Sequence, residues 1–168
     1  MKKFAVLAAM PLAFLSTPAQ AQDANLYVGA SAGYHDIGDV PVLDDGGFIF
    51  GGVVGVDVPV SEKVSAGSEG NYHFGTGLID SEYGVAGRLA YTFNGGTKAY
   101  VRGGYQEVDF DVGDFADDLD GVDTSDGDYL VGAGVEFGMG GGGTRLRVGV
   151  DTISFDTTRF NAALLFGF

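Results

Sequence analysis

The last ten residues, Arg159 to Phe168, read RFNAALLFGF, and every second one is apolar: Phe160, Ala162, Leu164, Phe166 and Phe168. The set between them, Arg159, Asn161, Ala163, Leu165 and Gly167, is smaller and more polar. A period of two places the two sets on opposite faces of a β-strand. The strand then stops on an aromatic residue beside the free carboxylate, an ending from which a soluble sheet gains little. A sheet in lipid must instead be closed, because an open edge would leave backbone hydrogen-bonding groups unpaired. The ending therefore predicts the closing strand of a membrane barrel.

The same period recurs from Asn25 onward. Leu26, Val28, Ala30, Ala32 and Tyr34 alternate with Tyr27, Gly29, Ser31, Gly33 and His35. Further apolar sets are Phe48, Phe50, Val54, Val56 and Val58, then Tyr72 and Phe74, then Tyr83, Val85, Leu89 and Tyr91. Val101 and Tyr105, Tyr129 to Phe137, and Leu146, Val148 and Val150 continue the pattern. The count is about eight strands of roughly ten residues, the smallest even-numbered transmembrane barrel. Tight connections are predicted at Val58–Glu62, around Pro59 and Ser61, at Asn94–Thr97, where Asn and Gly tolerate positive φ, and at the glycines of Met139–Gly143. The alternate connections are predicted to be long and acidic, the longest running from Asp109 to Asp128. Aromatic residues gather near both ends of the apolar face, as in the girdles of a lipid-facing band.

The N-terminus, MKKFAVLAAMPLAFLSTPAQAQ, has a basic start, a short apolar core and Ala19-Gln20-Ala21. It is expected to be a secretory signal peptide, residues 1–21, cleaved to leave 22–168 as one barrel domain. The apolar run is too short to span a bilayer. No Cys is present, which excludes disulfides and thiol chemistry. A formal charge of −14 argues against a nucleic-acid partner.

With its alternation, its girdles and its terminal Phe, the chain from Asn25 to Phe168 resembles the small bacterial outer-membrane β-barrels, the family of the OmpA transmembrane domain and the opacity-type proteins. The resemblance implies an all-β, up-and-down antiparallel transmembrane barrel with short periplasmic turns and acidic extracellular loops, located in the outer membrane. It implies that Phe160, Leu164, Phe166 and Phe168 form the C-terminal signal read by the barrel-assembly machinery, with periplasmic chaperones as further transient partners. Outer-membrane lipids would surround what is expected to be a monomer. The family's roles include adhesion, envelope stability, resistance and narrow conduction. A structural or surface-interaction role is the primary expectation and a narrow porin-like channel the alternative.

By parity the inward face holds Asp57, Glu69, Arg88, Arg102, Glu136, Arg147, Asp151 and Arg159, with many glycines between them. A lumen this narrow is filled by side chains. Glycines make room for arginines and carboxylates compensate them, so these residues are expected to form a charged plug, either a satisfied ionic core or a gate. Glu136 is expected to couple to Arg102 or Arg147. No cofactor, metal ligand set or catalytic residue is expected. His35 and Ser31 share a face and could approach each other. Because the small barrels that the chain resembles include lipid-modifying enzymes that use His and Ser, the resemblance leaves such an enzyme as a lesser alternative, with no specific motif for it here. Gly138, Gly140 and Gly143 match a dinucleotide-loop spacing, but the alternating TRLRVGV follows in place of a helix. In the longest loop Asp114, Asp117, Asp118, Asp120 and Asp123 do not complete an EF-hand and are expected at most to bind Ca²⁺ or Mg²⁺ weakly. A soluble lipocalin-like barrel would invert the faces, apolar set inward around a ligand.

Overall fold

The computed structural model describes residues 24–36, 46–77, 79–110, 125–140 and 142–168. The leader, and Asp114, Asp117, Asp118, Asp120 and Asp123 of the proposed cation loop, lie outside them. The elements are β1 (Asn25–Asp36), β2 (Gly46–Pro59), β3 (Val64–Gly75), β4 (Ile79–Thr92), β5 (Lys98–Phe110), β6 (Ser125–Gly138), β7 (Thr144–Ile153) and β8 (Thr157–Gly167). Each strand pairs antiparallel with its sequence neighbours, and β8 pairs with β1 to close the barrel. The alternation thus forms the closed up-and-down barrel it predicted. Several strands are longer than ten residues, reaching 14 in β2, β4 and β6. The extension is clearest where β5 and β6 continue their ladder through Glu107–Gly127 and Asp109–Ser125, so Asp109, Asp126 and Asp128 belong to strands and not to a loop.

The register sets the size of the lumen. Following register partners around the barrel from Asn25 leads through Asp57, Gly67, Arg88, Arg102, Gly132, Asp151 and Arg159 to His35. One circuit therefore climbs ten residues along β1, from position 25 to position 35. With normal strand rise and spacing, eight strands at that shear tilt by about 40° and enclose a backbone radius of about 8 Å. That leaves room for side chains and little else.

The tight turns fall where expected, between β2 and β3, β4 and β5, and β6 and β7, at one end of the barrel with both termini of the sheet. Gly95 and Gly96 adopt φ of 95° and 84°. There Phe93 N–H donates to Thr97 O at 2.8 Å. At the opposite end, the loop end, the general expectation of long acidic connections holds for two of the four, and the stretches GTGLIDS and Asp156–Thr158, which read as short loops in the sequence, are short. Residues 76–78 and 154–156 are as short as the turns, and only 37–45 and 111–124 are long. The β7–β8 connection is a tight turn with Ser154 and Phe155 at φ of 59° and 63°, closed by Asp156 N–H donating to Ile153 O at 3.2 Å.

The outer surface carries the apolar set. Phe48, Phe50, Val54, Phe74, Leu89, Val101, Val131, Val148 and Phe160 are all exposed. So large an apolar exterior belongs in lipid, and it is the reverse of the lipocalin-like arrangement. Edge-on aromatic pairs stand toward both ends, Tyr34 with Phe48 at 5.3 Å near the loop end and Tyr91 with Phe93 at 5.0 Å near the turn end. Phe160, Leu164 and Phe166 are exposed on β8, and Phe168, exposed just past its end, still donates its N–H to Leu26 O at 2.9 Å.

Candidate functional site

The inward positions build one buried ionic network, and all eight charges assigned by parity lie in it: Asp57, Glu69, Arg88, Arg102, Glu136, Arg147, Asp151 and Arg159 are buried. Inward glycines create the space. A Cβ at Gly132 would collide with the Asp151 carboxylate, and one at Gly134 would lie 2.6 Å from the Tyr100 hydroxyl. Valine at either position would displace the side chains that fill the lumen.

Two carboxylates hold the half nearer the turns. Glu69 accepts from Arg102 Nη1 at 2.5 Å, from Arg147 Nη1 and from the Tyr27 hydroxyl at 2.7 Å, with Arg88 Nη1 at 3.7 Å. Glu136 Oε1 accepts from Arg88 Nη2 at 2.7 Å and from Arg147 Nε and Nη2 at 3.0 and 2.9 Å. Arg88 also donates to the Tyr27 hydroxyl at 2.9 Å and stacks over Tyr100 at 4.8 Å. Arg147 lies 5.0 Å from the same Tyr100 ring. Asp57 faces Arg88 Nε at 3.3 Å and Lys98 at 3.9 Å. Of the two couplings expected for Glu136, the one to Arg147 is present. Arg102 instead turns toward Glu69 and Asp151.

Asp151 links the two halves. It takes Arg102 through Nε at 2.8 Å and Nη2 at 2.6 Å, a two-pronged geometry available to Arg alone. It also accepts from Arg159 Nε at 3.0 Å and Asn161 Nδ2 at 2.8 Å. Above it, Arg159 Nη1 donates to Glu82. Glu82 is fully buried at 0% exposure and is also met by His35 Nδ1 at 2.9 Å and His73 Nδ1 at 3.2 Å. His35 Nε2 lies 3.1 Å from the Thr157 hydroxyl.

Glu82, Tyr27 and the two imidazoles are the members that the parity reading left out. Counting back from Arg88 by twos reaches Ala86, Gly84 and Glu82, so the signal was present. The register irregularity between Ile79 and Ser81 lies at the start of β4, directly before Glu82. Ser31 and His35 share the inward face, but they do not meet. Ser31 Oγ lies 2.6 Å from His73 Nε2, on a strand two removed, while His35 is committed to Glu82 and Thr157. Apolar residues close the remaining space, with Ile49, Ile79 and Val108 clustered toward the loop end and Tyr27, Val53, Ala163 and Leu165 below. Among the described residues no group of three or more His, Asp or Glu is arranged to hold a metal ion.

The family described as Outer membrane protein beta-barrel domain matches residues 5–167. No curated protein matches the sequence. Among solved structures, the attachment invasion locus protein Ail of Yersinia pestis superposes with a TM-score of 0.55 at 15% identity, covering 86% of this chain and 95% of that one. The same protein in complex with the heparin analogue sucrose octasulfate gives 0.56 at 15% identity over the same shares. Neisserial surface protein A gives 0.52 at 14% identity, covering 85% of this chain and 97% of that one. At such identities the likeness is one of fold.

Proposed function

Since the chain belongs to the outer membrane protein β-barrel domain family, we propose that it is an outer-membrane barrel with a plugged lumen that acts through its outward end, in surface interaction or envelope integrity. The observation that carries this reading is the segregation of charge. Past the leader, the basic residues are Arg88, Arg102, Arg147 and Arg159 inside the lumen, and Lys63, Lys98 and Arg145 at the turn end. The loop-end stretches 36–48, 75–82, 107–128 and 154–158 contain acids and no Lys or Arg. With the turns in the periplasm, the surface facing outside the cell presents a field of a single sign, which selects partners by charge. Its partner is cationic, or anionic and bridged by divalent cations of the kind that Asp114, Asp117, Asp118, Asp120 and Asp123 would attract. A sulfated ligand such as the one bound to the Yersinia neighbour would be repelled.

Biogenesis on this reading runs through a cleaved leader, periplasmic chaperones and the assembly machinery, which reads Phe160, Leu164, Phe166 and Phe168. The folded monomer then rests in lipid. The channel reading has less support, because ionic and apolar side chains fill the lumen from Tyr27 to Ile49. The test is binding of the protein in neutral-lipid nanodiscs to beads coated with a polycation or a sulfated polysaccharide. Binding to the polycation that fades with salt is expected, and sulfated beads should bind only with Ca²⁺. Capture by sulfated beads without divalent cations would overturn the assignment.

A further inference from the structure

Ser31, His73 and Glu82 lie on one row of the ladder. Ser31 pairs with Gly51, Gly51 with His73, and His73 with Glu82. Gly51 has no side chain, so the serine and the imidazole reach each other across β2. Ser31 Oγ is 2.6 Å from His73 Nε2, and His73 Nδ1 is 3.2 Å from Glu82 Oε1. The carboxylate decides the tautomer. An unprotonated Nδ1 facing a carboxylate would set two lone pairs against each other, so the proton sits on Nδ1 and is donated to Glu82. That leaves the Nε2 lone pair to accept the Ser31 hydroxyl proton. Asn71 lies 3.3 Å from the same Nδ1 and, with the proton there, turns its carbonyl oxygen to the ring. Glu82 is held in turn by Arg159 and by His35 Nδ1 at 2.9 Å.

We propose that Ser31 is a nucleophile activated by His73 and Glu82, and that it accepts the acyl group of a small activated ester reaching the lumen. The order of roles, with a nucleophile, a base and a carboxylate that orients the base, is that of serine acyl transfer. Ser31 Oγ attacks the ester carbonyl carbon and its proton passes to His73 Nε2. The carbon–alkoxy bond then breaks, and His73 returns the proton to the departing alkoxide, which leaves as the alcohol. The acyl group remains on Ser31. Neighbouring main-chain N–H groups are held in the closed ladder, so they cannot form the amide pocket that stabilises the oxyanion in efficient hydrolases. The site therefore takes one acyl group and releases it slowly. The serine retains 9% exposure against 4% for His73 and 0% for Glu82, so of the three side chains in the row it is the least enclosed. His35 and Arg159 touch Glu82 and not the serine, so they act as positioning residues.

The test uses the full folded chain in detergent with 4-nitrophenyl acetate and, separately, a small alkyl fluorophosphonate. The expected result is a burst of about one equivalent of nitrophenolate and a single adduct mapped to Ser31. Both should be absent in Ser31→Ala. His73→Gln should slow adduct formation about a hundredfold or more, in line with the loss of a general base, while the SDS-resistant folded band persists. His35→Gln, which leaves the serine–imidazole pair in place, should slow it less. No adduct on Ser31, or an unchanged rate in His73→Gln, overturns the proposal. If His73→Gln does not fold, Ser31→Cys supplies the readout in a chain with no other thiol. Its alkylation by iodoacetamide should outpace that of Ala163→Cys, one strand across in register, by about tenfold or more, since the imidazole promotes the thiolate. Equal rates overturn it.

Discussion

Replacing Glu136 by Ala tests whether the lumen network holds the barrel together. The carboxylate is 0% exposed and receives Arg88 once and Arg147 twice, with Arg145 Nε at 3.5 Å. Without it, Arg88 retains Asp57 at 3.3 Å and Glu69 at 3.7 Å, and Arg147 retains only Glu69. Three arginines would then crowd one carboxylate, because Arg102 already uses Glu69. Removing one partner of a buried pair costs on the order of 3–5 kcal/mol. The remaining partners place this case near 3 kcal/mol. Glu136→Gln keeps the volume and one acceptor oxygen, and should cost about 2 kcal/mol as a lost charge-assisted hydrogen bond. The chain has no Trp, so the assay is the folded fraction on unboiled gels across a urea series in lipid vesicles. A double-mutant cycle of Glu136 with Arg147 should show coupling of about 1–3 kcal/mol, whereas Glu136 with Arg159, which share no partner, should add within about 0.5 kcal/mol. A loss below about 1 kcal/mol for Glu136→Ala, or additivity with Arg147, would refute the view that these charges act as one dry unit.

Gly134→Val should abolish the SDS-resistant band, because its side chain would strike the Tyr100 hydroxyl; a normal band after refolding would show that the lumen can yield. Phe168→Ala should leave the folded barrel stable within about 1 kcal/mol, since Phe168 is 73% exposed, yet slow assembly by the purified insertion machinery; equal insertion rates would remove its role as a signal. Millimolar Ca²⁺ at constant ionic strength should reduce protease cleavage near Asp117, through neutralisation of the acidic run; identical digests would leave that run without a cation role. Planar bilayers should record no stable conductance from the wild-type barrel, while Arg102→Ala, which removes the link between Glu69 and Asp151, should introduce openings; sustained current through the wild type would contradict a closed plug.

The strand faces were legible because lipid and lumen impose opposite demands on adjacent residues. Tyr34 and Phe48 must meet hydrocarbon, and His35 and Gly47 beside them must not. This opposition repeats at every second residue and needs no knowledge of which strands touch. Connection length was less legible. Ser154 and Phe155 lack the Gly or Asn that marks a tight turn, yet both adopt positive φ. Asp128, whose carboxylate accepts from the Ser154 hydroxyl at 2.6 Å and the Tyr129 N–H at 2.6 Å, holds that connection from the neighbouring strand. Composition had placed Asp128 in a mobile acidic loop, because a partner so far along the chain is invisible to local patterning.

The pairings inside the lumen depend on a quantity that parity does not contain. Parity says that Glu69, Arg102, Glu136 and Arg147 all point inward, but the shear decides which of them share a level. Counting up from the turns puts Arg88 and Arg102 at similar heights, and they do stand opposite each other in register as like-charged neighbours. The conflict is resolved by depth. Arg102 turns to Asp151 across Gly132, and Arg88 turns the other way to Glu136 and Asp57. The climb of ten residues per circuit brings His35, at the top of β1, level with Arg159 and within reach of Glu82. Ser31, four residues lower, is left to face His73 across the one glycine of β2 that sits between them. A two-residue slip at any one strand pair would keep every face assignment and displace the contacts that cross that pair. The inward glycines matter for the same reason: at Gly51 and Gly132 the empty position lets a side chain reach its partner two strands away, so the network is encoded as much by where side chains are missing as by where charges stand.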